Sequence, residues 1–367
     1  MTGLTREQTQ GRSIQRMLVR GRGARLELAT IAAAGVCLMA GMEGCGGKNK
    51  AKASEAKTSA ATGVQGGVTP SQMAISTSYV SSAEQAVRDG DLAKALAEFQ
   101  RAIEVNPNLT SAHLGMGDIY RMKGDYASAE VQYGISARQE PRNFDAQYYH
   151  GLMLHLLDRL TEAVQAYLRA LAVRPNDFRA NLNLATAYYQ LDENTQSLPY
   201  ARKAVELNPD DGAARFNLGA VYAALGRHGD AVREYQQAAE LMKLSPPLLI
   251  NLAESLGKLE RYDEMANTLA QAIKTEPSAT AYERLGFARF RLGQYDEARD
   301  AFQAALRMDA NYYPALNGLG VCQLNDWIRS GRADATAKEA GLGNLRKSLQ
   351  IQRDQPQILE IVTRYGR

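Results

Sequence analysis

GAARFNLGAVYAALGRHGDAVREYQQAAEL, residues 212–241, decides the fold, because the segments on both sides can be superimposed on it. Two apolar runs of helical spacing lie within it: Phe216, Leu218, Val221, Tyr222 and Leu225, then Ala231, Val232, Tyr235 and Ala238. The stretch from Gly226 to Gly229 separates them. Gly219 sits where the first run faces the second, and Ala231 and Ala238 are the small residues of the second run. Helices with facing small residues can cross closely, which predicts an antiparallel helical hairpin. One hairpin of this length buries too little apolar surface to offset its ordering entropy, so it needs neighbours stacked against it.

The neighbours are in the chain. Pro107, Pro141, Pro175, Pro209 and Pro277 are spaced by 34 residues or, in the last step, by twice 34 with Lys243 at the skipped place. The alanine of the second helix recurs as Ala95, Ala129, Ala163, Ala231 and Ala298, with Ser197 and Met265 in the other two cells. Four places later stand Phe99, Tyr133, Tyr167, Ala201, Tyr235, Leu269 and Phe302. The small residue of the first helix recurs as Ala83, Gly117, Gly151, Ala185, Gly219, Ala253, Gly286 and Gly320. Seven regular cells follow, with first helices expected near Ser76, Thr110, Phe144, Phe178, Gly212, Pro246 and Ala279. An eighth opens at Pro314; residues 327–338 read as an inserted loop, after which a second helix resumes at 340–351. Residues 357–365, with Ile358, Leu359, Ile361 and Val362, are expected to close the exposed end as a short helix.

At these positions the chain resembles the tetratricopeptide repeat family, whose pattern pairs Leu-Gly and Tyr in a first helix with Ala-x-x-x-Phe and a terminal Pro in a second. Leu218-Gly219, Tyr222, Ala231 and Tyr235 fit it, as do Met116-Gly117, Tyr120, Ala129, Tyr133 and Pro141. The aromatic that opens the pattern is kept at Tyr79 and Tyr282 and replaced by His113, Gln147, Asn181 and Arg215. The resemblance covers residues 76 to 350 and implies an all-α, right-handed superhelical solenoid of seven or eight helix-turn-helix repeats, one domain over 76–367. It also implies a concave groove lined by the first helices.

The formal charge of +3 is carried by residues 1–45, which hold Arg6, Arg12, Arg16, Arg20, Arg22 and Arg25 against Glu7, Glu27 and Glu43. The remainder is neutral and offers no bulk-charge case for nucleic-acid binding. An Arg-rich start and an apolar run over 28–42, shorter than a spanning helix requires, read as a cleaved targeting signal over residues 1–44. Met42-Glu43-Gly44-Cys45 resembles the lipobox of bacterial lipoproteins, departing from it at Glu43. The resemblance implies acylation of Cys45, a flexible linker over 45–75, and a chain anchored by lipid in the cell envelope, facing the periplasm or cell exterior. An uncleaved anchor or ordinary secretion is the alternative, and Met17 is a second possible start. Cys37, Cys45 and Cys322 leave a single thiol after cleavage, so stability rests on stacked interfaces rather than disulfides.

The motifs of catalysis are missing. His113, His150, His155 and His228 fall at separate repeat places, and His150 and His155 point to different sides of one helix. HExxH, Gly-rich phosphate loops, GxSxG and CxxC do not occur. No catalytic residue, metal, cofactor, small-molecule substrate or nucleic acid is expected. Binding is expected instead in the groove, where Asn183, Asn217 and Asn251 recur every 34 residues immediately before the core Leu. A carboxamide both donates and accepts, so a row of them can bond the backbone of an extended peptide; superhelical relatives such as the repeats of protein O-GlcNAc transferase use such a ladder. The alternative for the ladder is hydrogen bonding within the fold. Tyr148, Tyr189, Phe216, Arg284 and Phe287 complete the candidate partner site. The carboxylate clamp known in the family is not matched, since Val80, Glu84, Gly115, Asp145 and Tyr149 occupy its places.

The expected function is a non-catalytic, membrane-tethered scaffold that binds an extended peptide or a helix of a partner protein, in the assembly of an envelope complex such as a pilus, secretin or outer-membrane machinery. The alternative is a substrate-recruiting subunit of a glycosyltransferase or peptidase system. Replacing Cys45 with Ala is expected to shift the chain from the membrane to the soluble fraction; unchanged fractionation removes the lipid anchor.

Overall fold

The structure, a computed structural model, describes residues 68–366. The signal, Cys45 and most of the expected linker lie outside them. Every regular element among the described residues is a helix, and the helices alternate as first and second members of hairpins. The pairs are α1 (Pro70–Arg88) with α2 (Leu92–Val105), α3 (Thr110–Met122) with α4 (Tyr126–Gln139), α5 (Phe144–Leu156) with α6 (Leu160–Val173), and α7 (Phe178–Gln190) with α8 (Asn194–Leu207). These form one compact unit, which ends at Pro209. A second unit, from Asp210, holds α9 (Gly212–Ala224) with α10 (His228–Leu241), α11 (Pro246–Lys258) with α12 (Tyr262–Thr275), α13 (Ala279–Arg291) with α14 (Tyr295–Met308), α15 (Tyr313–Arg329) with α16 (Ala335–Ile351), and the closing helix α17 (Pro356–Tyr365).

In four of the cells the contact that joins the two helices is an aromatic ring laid on a glycine. A Cβ added at Gly117, Gly151, Gly219 or Gly286 would stand 2.8–2.9 Å from the ring of Tyr133, Tyr167, Tyr235 or Phe302. Real carbon atoms do not approach so closely, so the glycine is what lets the ring lie flat. Each of these rings is at most 3% exposed. Where the ring is phenyl it also reaches the next cell. A Cβ at Gly115 or Gly318 would fall 2.2 Å from Phe99 or Phe302, inside the ring's own volume. Those glycines hold the register place occupied elsewhere by Asn183, Asn217 and Asn251.

The turn between the helices of a cell is set by a backbone torsion. Gly90, Gly124, Gly226 and Gly293 take φ between +74° and +79°, and the same place is held at φ 60° by Asp158, Asp192 and Glu260. A residue with a side chain pays roughly 1 kcal/mol for that conformation, less for Asp than for Glu because a short polar side chain can bond locally.

Polar residues at the opening aromatic place fasten each cell to the connector before it. His113 Nε2 lies 3.2 Å from the carbonyl of Pro107, while Gln147 Nε2 donates to the Pro141 carbonyl at 3.4 Å and to Ala137 at 2.9 Å. Asn181 Nδ2 donates to the Pro175 and Asp177 carbonyls at 3.0 and 2.8 Å. All three side chains are buried, so the carbonyls that a helix C-terminus leaves open are satisfied without water.

Three boundaries differ from the sequence expectation. α1 starts at Pro70, inside the stretch read as linker, because Thr69 and Gln72 make a reciprocal capping box and Pro70 is suited to the first helical position. Residues 327–338 do not form a loop: α15 and α16 are each 17 residues long, and only the turn at 330–334 separates them. The extra helical turns survive because Trp327 is 9% exposed, donates from Nε1 to the Arg332 carbonyl at 3.0 Å, and meets Tyr365 edge to face. In α17, Ile358 and Ile361 are buried as expected, but Leu359 is 56% exposed and does not pack.

Two outcomes follow. Gly115→Asn is expected to lower stability by about 1–3 kcal/mol through overpacking, and to cost much less in a Phe99→Ala background, as a double-mutant cycle of denaturation midpoints would report. Glu260→Gly is expected to raise stability by about 1 kcal/mol, and Gly226→Ala to lower it, both read from urea titrations.

Candidate functional site

First helices of successive cells touch directly, α1 with α3, α5 with α7, α9 with α11 and α13 with α15, so each unit presents a surface built from first helices. The register place two residues before the small residue falls on a first helix in every cell. Reading along the chain it is Ser81, Gly115, Tyr149, Asn183, Asn217, Asn251, Arg284 and Gly318. Arg284 therefore belongs to the asparagine row.

In the first unit, Asn183 and Tyr148 are brought together: the Asn183 carboxamide donates to the Tyr148 hydroxyl at 3.1 Å. Tyr148 is 5% exposed, stacks on Phe144 and meets Tyr149 edge to face, with the Arg179 guanidinium 5.7 Å from its ring centre. Burial pushes its hydroxyl up to about 12, so it stays protonated and available as a donor throughout the working range. Tyr148 thus lies beneath the surface, whereas Tyr149, stacked on Tyr133 at 5.4 Å with Arg121 over it, is the half-buried ring on the face. Tyr189 is half-buried one helical turn beyond Thr186. A cavity of about 390 Å³ opens beside Gly115, lined by Glu84, Val87, Phe99, Leu114 and Met122. Sequence reasoning passed over this pocket, although Gly at a place held elsewhere by Asn or Tyr was its signal.

In the second unit, Phe216 is 6% exposed and packs against Tyr235, so it too shapes the face from below. Asn217 and Asn251 are half-buried, and the Asn251 carboxamide makes no hydrogen bond among the described residues. Arg284 is 8% exposed, with Nη1 3.1 Å from Glu254 Oε2. Phe287 meets Tyr262 edge to face, and the Arg291 guanidinium lies 4.4 Å from the Tyr262 ring centre and 5.9 Å from that of Phe287. Arg284, Phe287 and Arg291, spaced three and four apart, form one stripe along α13.

Three of the four histidines serve separate contacts. His113 lies 2.8 Å from Gln132, His150 3.1 Å from Glu130 and His155 2.8 Å from Gln190, and burial lowers the pKa of His150 and His155. Among the described residues no three His, Cys, Asp or Glu side chains gather as metal ligands. Cys322 is buried, and burial pushes its thiol up to about 12, which makes it a poor nucleophile. No described helix is long and apolar enough to cross a membrane.

The chain is 34% identical over 96 residues to the small glutamine-rich tetratricopeptide repeat-containing protein 2 of Mycosarcoma maydis, a match spanning 25% of this chain and 27% of that protein. Among solved structures, the APC/C hetero-tetramer Cut9–Hcn1 is similar with a TM-score of 0.50 and 16% identity, covering 80% of this chain and 58% of that one. PilF of Pseudomonas aeruginosa is similar with a TM-score of 0.47 and 19% identity over 58% of this chain and 97% of its own. At such identities these likenesses concern the fold alone. A family profile described as tetratricopeptide repeat matches residues 82–134, 182–247, 250–313 and 284–326, and a second, described as TPR repeat, matches 151–192. The first profile alone spans more than half of the sequence, and the chain belongs to the tetratricopeptide repeat family.

Proposed function

We propose that this protein is a non-catalytic scaffold that holds a segment of a partner protein against its first-helix face. The supporting observation is Asn251, a half-buried carboxamide on that face with no hydrogen-bond partner of its own among the described residues. A solvent-accessible carboxamide can exchange water for the N–H and C=O groups of a peptide backbone, at a net gain of roughly 1 kcal/mol per hydrogen bond. In the same unit Asn217 holds this place 34 residues earlier and Phe287 gives apolar side chains a ring to rest on; in the first unit, taken by itself, Asn183 holds it beside Tyr149 and Tyr189. Asn183 divides its capacity, since its amide donates to Tyr148 while its carbonyl oxygen is left to accept.

The lipobox-like residues ending at Cys45 support a lipid-tethered scaffold in the cell envelope, with a partner drawn from an envelope assembly. Acylation with two or three chains holds a protein stably, where a single chain does not. Catalysis plays no part in this reading: His113, His150 and His155 are each engaged in a separate contact and the Cys322 thiol is buried.

Crosslinking in the native cells, followed by identification of the captured protein, tests the scaffold. Joint replacement of Asn183, Asn217 and Asn251 with Ala is expected to reduce capture about tenfold or more with helical content unchanged, given roughly 1 kcal/mol per lost hydrogen bond. Capture at the original level by a folded triple variant removes the asparagine row from the site.

A further inference from the structure

Both arginines of the stripe on α13 have a carboxylate within 4 Å, yet each keeps one guanidinium nitrogen without a hydrogen-bond acceptor. Arg284 is buried, yet its Nη1 has no hydrogen-bond acceptor, because the Glu254 carboxylate 3.1 Å away is not in line with the N–H. Arg291 Nη1 is likewise buried without an acceptor, and its nearest carboxylate, Glu260, is 3.7 Å from Nη2 and 73% exposed. Lys258, one turn after Glu254 on α11, is exposed and has no ion-pair partner among the described residues. A guanidinium held against aromatic rings is pre-oriented to grip a carboxylate through two parallel hydrogen bonds, and unmade bonds at a buried charge are costly.

Resting on the scaffold reading, we propose that this face of the second unit takes an acidic protein segment. One carboxylate displaces Glu254 from Arg284, a second meets Arg291, and an apolar side chain between them lies on Phe287. Glu254, whose side chain is 37% exposed, is then a resident carboxylate that holds the place of the partner's and moves aside when the partner binds. The register agrees with this assignment: the row that presents carboxamides at Asn217 and Asn251 presents a guanidinium at Arg284, where backbone recognition gives way to charge recognition.

The test is fluorescence anisotropy on the full chain with three labelled Gly-Ser peptides that share a central Phe and differ only in its two flanking residues, Glu, Gln or Lys. The Glu peptide is expected to bind about tenfold more tightly than the Gln peptide, and the Lys peptide more weakly than either. Glu254→Gln is expected to tighten the Glu peptide several-fold, because the competing carboxylate is gone. Arg291→Gln is expected to abolish the preference with the circular dichroism spectrum unchanged, which keeps the test valid where Arg284→Gln fails to fold. Equal binding of the Glu and Gln peptides, or weaker binding of the Glu peptide to Glu254→Gln, overturns the proposal. Equal binding of all three that is lost in Phe287→Ala overturns the acidic preference alone and leaves the scaffold standing; binding of none counts against both.

Discussion

Everything in this molecule depends on how closely two helices of a cell can approach, and a ring on a glycine sets that distance. Tyr133 on Gly117, Tyr167 on Gly151, Tyr235 on Gly219 and Phe302 on Gly286 are the same contact made four times. It buries a large side chain completely while leaving the first helix free to turn its other face outward. The interior is therefore assembled from cells most of which contribute a ring, with Ala201 and Leu269 at that place in two others and alanines such as Ala95, Ala129 and Ala231 filling the remainder. Candidate surface and core then share one register, since the place held by Asn217 is two residues from the glycine that receives the ring.

That shared register explains why the surface place varies as it does. A phenyl ring has no hydroxyl to satisfy and slides forward, so Phe99 and Phe302 need Gly115 and Gly318 in the following cell. A tyrosine stops short, and the following cell carries a larger group: Tyr149 after Tyr133, Asn183 after Tyr167, Asn251 after Tyr235. The choice of second-helix aromatic decides whether the next cell offers a pocket, as beside Gly115, or a side chain. Arg284 follows Leu269, which has neither a hydroxyl nor a flat ring, and there the place holds a guanidinium whose nitrogen finds no acceptor.

Periodicity made the hairpins and most of their boundaries legible in the sequence, because one residue type at one place repeats the same contact. First helices at Thr110, Phe144, Phe178, Gly212, Pro246 and Ala279 begin where the 34-residue pattern puts them. What periodicity could not reveal lies where a side chain departs from it. His113, Gln147 and Asn181 read as lost aromatics but act as buried tethers to Pro107, Pro141 and Pro175. Residues 327–338 break the period and read as a loop, yet the extra residues lengthen two helices around a buried Trp327. Among the candidate residues, Asn183 in the first unit and Asn251 and Phe287 in the second are half-buried, whereas Tyr148 and Phe216 are buried. A helical period of 3.6 residues places neighbours on adjoining faces, and one step along the helix separates a groove ring from a core ring.

The left-handed turn residues add a second periodic mark to the chain. Gly90, Gly124, Asp158, Asp192, Gly226, Glu260 and Gly293 occupy a place defined by a torsion, independently of which rings meet which glycines. Two unrelated constraints on the same register act as a check digit. Helices that slipped by one residue while folding would bury rings wrongly and also force an ordinary side chain into positive φ, so such errors are rejected twice. A slip by a whole cell violates neither constraint. The misassembly to which this architecture is open is accordingly the exchange of entire hairpins, within one chain or between two, with every local rule obeyed.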